Sequence, residues 1–173
     1  MEAHRLTATE EIRVSASAEK MMVVMFWDSE GVIFTHCVPK STTVTSQTYE
    51  DVLRTKFLPA LRGKRPKKVA AVFFHHDNAP HRAARVHQFF DDNNFEVVPH
   101  APYSPDLAPS DFLLFPTLKD TLRSRIFSSR SALATAIFQW SQRTPKEAFA
   151  VAMQSWRQRC EKCVRLQGDY VEK

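Results

Sequence analysis

Seven apolar residues in a row, Met21 to Trp27, give way to Asp28-Ser29-Glu30-Gly31 and then to a returning, mostly apolar segment from Val32 to Val38. An uninterrupted run of this length marks a buried strand. Gly31 supplies the permissive dihedrals of a tight turn, so the pattern predicts an antiparallel hairpin. From Ser46 to Leu61 the spacing changes. Tyr49, Val52, Leu53, Phe57 and Leu61 form a helical stripe, with Pro59 expected to weaken or kink the last turn. Val69 to Phe74 reads as a strand again. A helix is expected from Pro80 to Asp92, with Asn78 as its cap and Val86, Phe89 and Phe90 on its buried side. Phe95 to Val98 is another short buried strand.

Four prolines between Pro99 and Pro109 exclude regular structure there. Ser110 is the expected N-cap of a helix that starts at Asp111 and buries Leu113, Leu114, Phe115 and Leu118. Two further helices follow, Ser131 to Gln142 and Pro145 to about Gln167, the second stopped by Gly168. Residues 1–20 are polar and weakly patterned and are expected to form a tail, with Glu11 to Ser15 as a short strand at most. The pattern as a whole is a β-hairpin, α, β, α, β, then helices.

A chain of 173 residues with 43% hydrophobic content supports one domain with a sizeable core. No apolar run approaches a membrane span, and the first twenty residues are too polar for a signal peptide. The expectation is a soluble protein, nuclear or cytoplasmic, with no membrane partner. The net charge of +5 suits a phosphate-rich partner but also many ordinary domains. Cys37, Cys160 and Cys163 make no disulfide framework. Cys160 and Cys163 share a helix face, and no further His or Cys stands near them in sequence to complete a zinc site.

Two acids carry the candidate chemistry. Asp77 follows the strand Val69–Phe74, and Asp111 follows the proline-rich loop. Carboxylates at the ends of elements in one α/β layer commonly hold a divalent metal, since hard cations such as Mg²⁺ prefer oxygen ligands. The bland reading makes each a helix-capping acid. His75, His76 and His81 suggest a metal cluster, but nitrogen donors suit Mg²⁺ poorly. Lys64, Arg65, Lys67 and Lys68 form the densest basic cluster, and Arg82 and Arg85 follow on the next helix. They are candidate DNA-phosphate contacts, an import signal, or simply solvated charges.

Asp77-Asn78-Ala79-Pro80-His81 and Pro102-Tyr103-Ser104-Pro105-Asp106-Leu107-Ala108-Pro109-Ser110-Asp111-Phe112 closely resemble the catalytic core of mariner-type DNA transposases. The resemblance extends back to Phe26-Trp27-Asp28-Ser29-Glu30-Gly31. It runs forward to Trp156-x-x-Arg159-Cys160-x-Lys162-Cys163 and Gly168-Asp169-Tyr170-Val171-Glu172, covering roughly residues 12–173. It implies a ribonuclease H-like α/β core with a helical C-terminal part, in which three acids converge on two Mg²⁺ or Mn²⁺ ions. Asp77 and Asp111 match the second and third acids. The first belongs to a strand upstream of Met21–Trp27, and neither Glu10 nor Glu11 matches its setting, so the core is expected to be incomplete.

The first motif is also one residue shorter here, with only Pro80 between Ala79 and His81. That difference turns later helical side chains by about 100° or must be absorbed in the turn. The implied organisation is a tail (1–20), a partial catalytic core (21–127) and C-terminal helices of the same domain (128–173). The implied ancestral activity is metal-dependent DNA strand cleavage and transfer, impaired in this chain, with DNA as partner and a homodimer as an option. The alternative is a non-catalytic nucleic-acid-binding or protein-interaction module.

Overall fold

The structure, a computed structural model, describes residues 21–76, 84–123 and 125–171. The expected tail, including Glu11 to Ser15, lies outside the described residues, as do Asp77, Asn78, Pro80, His81 and Arg82. The hairpin forms as the pattern predicts: β1 (Val23–Asp28) pairs antiparallel with β2 (Gly31–Cys37). Gly31 sits at φ +124°, a conformation that L side chains rarely adopt. The Glu30 N–H donates to Asp28 Oδ1 at 2.9 Å and tightens the turn.

The second helical region is α1 (Ser46–Val52), a wide π-helical turn (Leu53–Phe57) and α2 (Leu58–Lys64). Pro59 does not end the helix as a simple kink would. In the turn before it, the Leu58 N–H reaches back five residues to the Leu53 carbonyl. A proline ring ordinarily clashes with the carbonyl four residues back, and widening the preceding turn lets the helix continue to Lys64. The same arrangement recurs at Pro116. A π turn (Ser110–Leu114), closed by Phe115 N–H to the Ser110 carbonyl, leads into a helix whose second residue is proline.

β3 (Val72–His75) starts three residues later than the apolar run suggests, because turn hydrogen bonds from Lys68 to Arg65 and from Ala71 to Lys68 occupy the preceding backbone. It pairs parallel with β4 (Phe95–Val98) across α3 (Ala84–Asp92), a βαβ unit. The last three helices are α4 (Phe115–Arg123), α5 (Arg130–Arg143) and α6 (Lys146–Arg165). Ser129 caps α5. α6 ends where Gln167 (φ 56°) and Gly168 (φ 94°) turn the chain, with the Gly168 N–H on the Cys163 carbonyl.

Both faces of the hairpin are covered, which explains its uninterrupted apolar run. On one side Phe26 and Ile33 join Tyr49, Leu53, Phe57, Phe74, Val86, Phe89, Phe90 and Phe95 in the larger core. On the other, Val32 packs with Leu114, Leu118, Ile137, Trp140 and Phe149.

The turn of the hairpin is fixed by charge. Arg65 donates from Nε and Nη2 to the two Asp28 oxygens at 2.8 and 2.9 Å, and Lys68 pairs with Glu30. Burial alone would push the Asp28 carboxyl up. The Arg65 hydrogen bonds, the Glu30 N–H and the charges of Arg65 and Lys68 outweigh it and hold the carboxyl below its ordinary range. A depressed folded-state value means that this stabilisation is present above the unfolded carboxylate pKa and is lost as pH falls through the folded one. Urea titrations should therefore show stability falling below about pH 4, with a flatter acid limb in Asp28→Asn. At neutral pH that substitution should cost about 2 kcal/mol, the range for a charge-assisted hydrogen bond. An unchanged acid limb would contradict this role for Asp28.

Candidate functional site

The two sheets do not pair with one another among the described residues. A cavity of about 400 Å³ lies between the edges of β1 and β3, lined among others by Met25, Trp27, Phe74, His75, Ser110 and Trp156. It brings the C-terminal end of β3 and the start of the Asp111 turn to one place. Ser110 was expected to cap the helix through its hydroxyl. Instead Pro109 holds the cap position, and the Ser110 hydroxyl accepts the Trp27 indole N–H at 3.1 Å. This bond ties the turn to β1. Asp111 follows, exposed, its N–H on the Ala108 carbonyl. Of the two candidate acids, Asp111 is described and Asp77 is not.

His75 and His100 meet at 3.2 Å between Nε2 and Nδ1, and the Trp156 ring lies tilted with its centroid 4.6 Å from that of His75. Asp106, in the proline-rich loop, is buried at 6% exposure. Its Oδ2 accepts the Val171 N–H at 2.8 Å.

The basic candidates fall into distinct settings. Arg65 is consumed by Asp28, and Lys68 by Glu30 and Asp28. Lys64 Nζ donates to the Val32 carbonyl at 3.1 Å. Arg85 lies 3.6 Å from Glu50, Lys67 is exposed, and Arg82 is outside the described residues. The two hairpin acids thus halve the net positive charge of the four-residue cluster. Sequence reasoning missed this because 37 residues separate Asp28 from Arg65. The alternation of Asp28 and Glu30 in the turn is the one signal that pointed towards it.

The family model described as "Transposase (partial DDE domain)" matches residues 3–71. The Mariner Mos1 transposase of Drosophila mauritiana is 36% identical over 169 residues, 95% of this chain and 49% of that protein. A structure of the Mos1 transposase catalytic domain with raltegravir and Mg shares the fold with a TM-score of 0.82. Its identity is 35%, over 87% of this chain and 76% of that one. The chain belongs to the mariner transposase family. Its fold is the ribonuclease H-like fold of the Mos1 catalytic domain, with a helical C-terminal part. The Mos1 mariner paired-end complex with Mn matches with a TM-score of 0.83 at 31% identity, over 98% of this chain and 51% of that one. The chain thus spans about half the length of the full Mos1 protein.

Mos1 structures with Mg and with Mn set the metal question for this mariner homologue. Among the described residues no three His, Cys, Asp or Glu side chains gather as a metal site. The donor type at Asp111, an exposed carboxylate, does fit a hard divalent cation. No helix among the described residues is long and apolar enough to cross a membrane.

The Trp27–Ser110 bond gives a direct check on the geometry of the turn. Ser110→Ala should leave a half-buried indole N–H without its partner and lower stability by about 1–2 kcal/mol. Tryptophan emission should shift as the turn loosens; denaturation and emission spectra indistinguishable from those of the unaltered chain would contradict the contact.

Proposed function

We propose that this chain is the metal-binding part of a mariner-type transposase catalytic domain, in which Asp77 and Asp111 hold Mg²⁺ or Mn²⁺ against a DNA phosphodiester. The observation that supports this most is the match to the Mos1 catalytic domain, together with an exposed Asp111 anchored to β1 through its neighbour Ser110. The chemistry that divalent ions supply in such a site is polarisation of the scissile phosphate and activation of the attacking water. The residues of the chain supply hard oxygen ligands and their placement. Trp27 and Ser110 fix where Asp111 stands, and the cavity beside them takes in substrate backbone.

Strand cleavage is reduced relative to the family in this proposal. The motif from Asp77 to His81 is one residue shorter than the family pattern, a change that turns later helical side chains by about 100° unless the turn absorbs it. The second reading, a DNA-binding module without catalysis, draws on the same shortening. Mn²⁺ titration by calorimetry separates the two. The chain should bind Mn²⁺, Asp111→Ala should weaken that binding at least tenfold, and nicking of a duplex should be slow and metal-dependent. Rapid nicking lost in Asp111→Ala would contradict the impairment. Absence of Mn²⁺ binding would leave only the second reading.

The DNA partner is proposed from Lys64, Lys67, Arg82 and Arg85, with Arg65 and Lys68 contributing less because the hairpin acids engage them. If two of these cations reach phosphates, log affinity should fall against log salt with a slope near −1.8, from roughly −0.9 per contact. Fluorescence anisotropy on a random duplex measures it. A flat salt dependence would remove DNA as a partner of this chain.

A further inference from the structure

Beyond α6 the chain does not run off into solvent. Val171 is 7% exposed and returns to the proline-rich loop. Its N–H donates to Asp106 Oδ2 at 2.8 Å, and Lys162 Nζ donates to its carbonyl at 2.7 Å. The Tyr170 hydroxyl donates to the Tyr103 carbonyl at 3.1 Å. From α6, Arg159 Nη1 donates to the Asp106 carbonyl at 3.1 Å, and the same guanidinium lies 4.1 Å over the Phe112 ring.

These contacts converge on the segment that ends in Asp111. Asp106 sits in a 3₁₀ turn (Pro105–Leu107). The next carbonyl beyond that turn, Ala108, accepts the N–H groups of both Asp111 and Phe112, at 2.9 and 3.0 Å. Asp111 is therefore bracketed. Ser110 on one side is bonded to β1, and Phe112 on the other is stacked under α6.

A buried carboxylate is a costly way to fill space. The second oxygen of Asp106, Oδ1, is buried with no hydrogen-bond partner among the described residues, so the acid is not there for the sum of its contacts. An apolar side chain in the same place would avoid the desolvation. What the acid adds is a directed acceptor that fixes the returning backbone at Val171. We infer that residues 169–171 form a clasp that closes on Asp106 and holds the Asp111 turn in place, making Asp106 and Arg159 positioning residues for Asp111. The inference rests on Asp111 being a metal ligand, and its test has one arm that does not.

The first arm is amide hydrogen exchange of the full chain by NMR. Asp106→Ala should speed exchange at Asp111 and Phe112 about tenfold, the loss of one buried hydrogen bond, and leave the hairpin amides of β1 and β2 unchanged. Ending the chain after Gly168 should do the same, and the two changes together should do no more than either alone. Asp106→Asn keeps an acceptor oxygen for the Val171 N–H and should restore slow exchange. The clasp is overturned if exchange at Asp111 and Phe112 stays slow while Val171 opens. Additive effects, or an Asn variant that behaves like Ala, overturn it equally.

The second arm is Mn²⁺ affinity. Asp106→Ala should weaken it severalfold, and Asp106→Asn should bring it back. If the unaltered chain binds Mn²⁺ and Asp106→Ala binds it equally well, the positioning role is overturned even with a loosened loop. If the unaltered chain binds no Mn²⁺, the functional reading fails, and with it the role for Asp111. The exchange arm then still decides whether the clasp exists.

Discussion

Phe57 joins two sheets that share no strand pairing among the described residues. Its ring lies 4.4 Å from Phe26 of the hairpin, 5.8 Å from Phe74 of β3 and 6.4 Å from Phe95 of β4. It is 2% exposed. Without backbone hydrogen bonds between β1 and β3, the relative placement of the hairpin and the βαβ unit depends on this aromatic contact and its surroundings. Aromatic pairs at such distances add to area burial through their ring geometry. Phe57 closes a π-helical turn, so the widened backbone that admits Pro59 also sets the angle at which this ring enters the core.

The hydrophobic pattern carried most of this fold, for a physical reason. β1, β2 and β4 stand where apolar runs meet turn residues, and α3 buries Val86, Phe89 and Phe90 as its stripe predicts. Burial dominates there and is local in sequence. β3 is shorter than its apolar run for a local reason, since the Lys68 turn competes for its first residues. Where long-range bonds decide, the sequence was silent. Ser110 looked like a cap because Ser before an acid usually is one, yet its hydroxyl serves an indole 83 residues away. Nothing near Asp106 in sequence foretells a partner at Val171. Pro59 pointed to a weakened or kinked last turn, but the wide turn before it lets the helix run on to Lys64, one of several ways to relieve the same clash.

The candidate site was legible as chemistry rather than as geometry. Motif residues named Asp77 and Asp111, and the family assignment follows from similarity across nearly the whole chain. The basic cluster was legible as charge but not as partnership. Arg65 is the least exposed of its ion-paired members and is occupied within the fold. A cation's availability to DNA depends on which acids the folded chain has already brought to it. Asp111 is exposed, and the residues on either side of it are anchored.

On the proposed function, the acids of this chain and not its histidines hold the divalent metal. Anomalous scattering from crystals grown with Mn²⁺ decides between the two donor sets. A peak is expected on the Asp111 carboxylate, shared with Asp77, at oxygen-ligand distances of roughly 2.0–2.3 Å. A peak between His75 and His100, with none at Asp111, would contradict it.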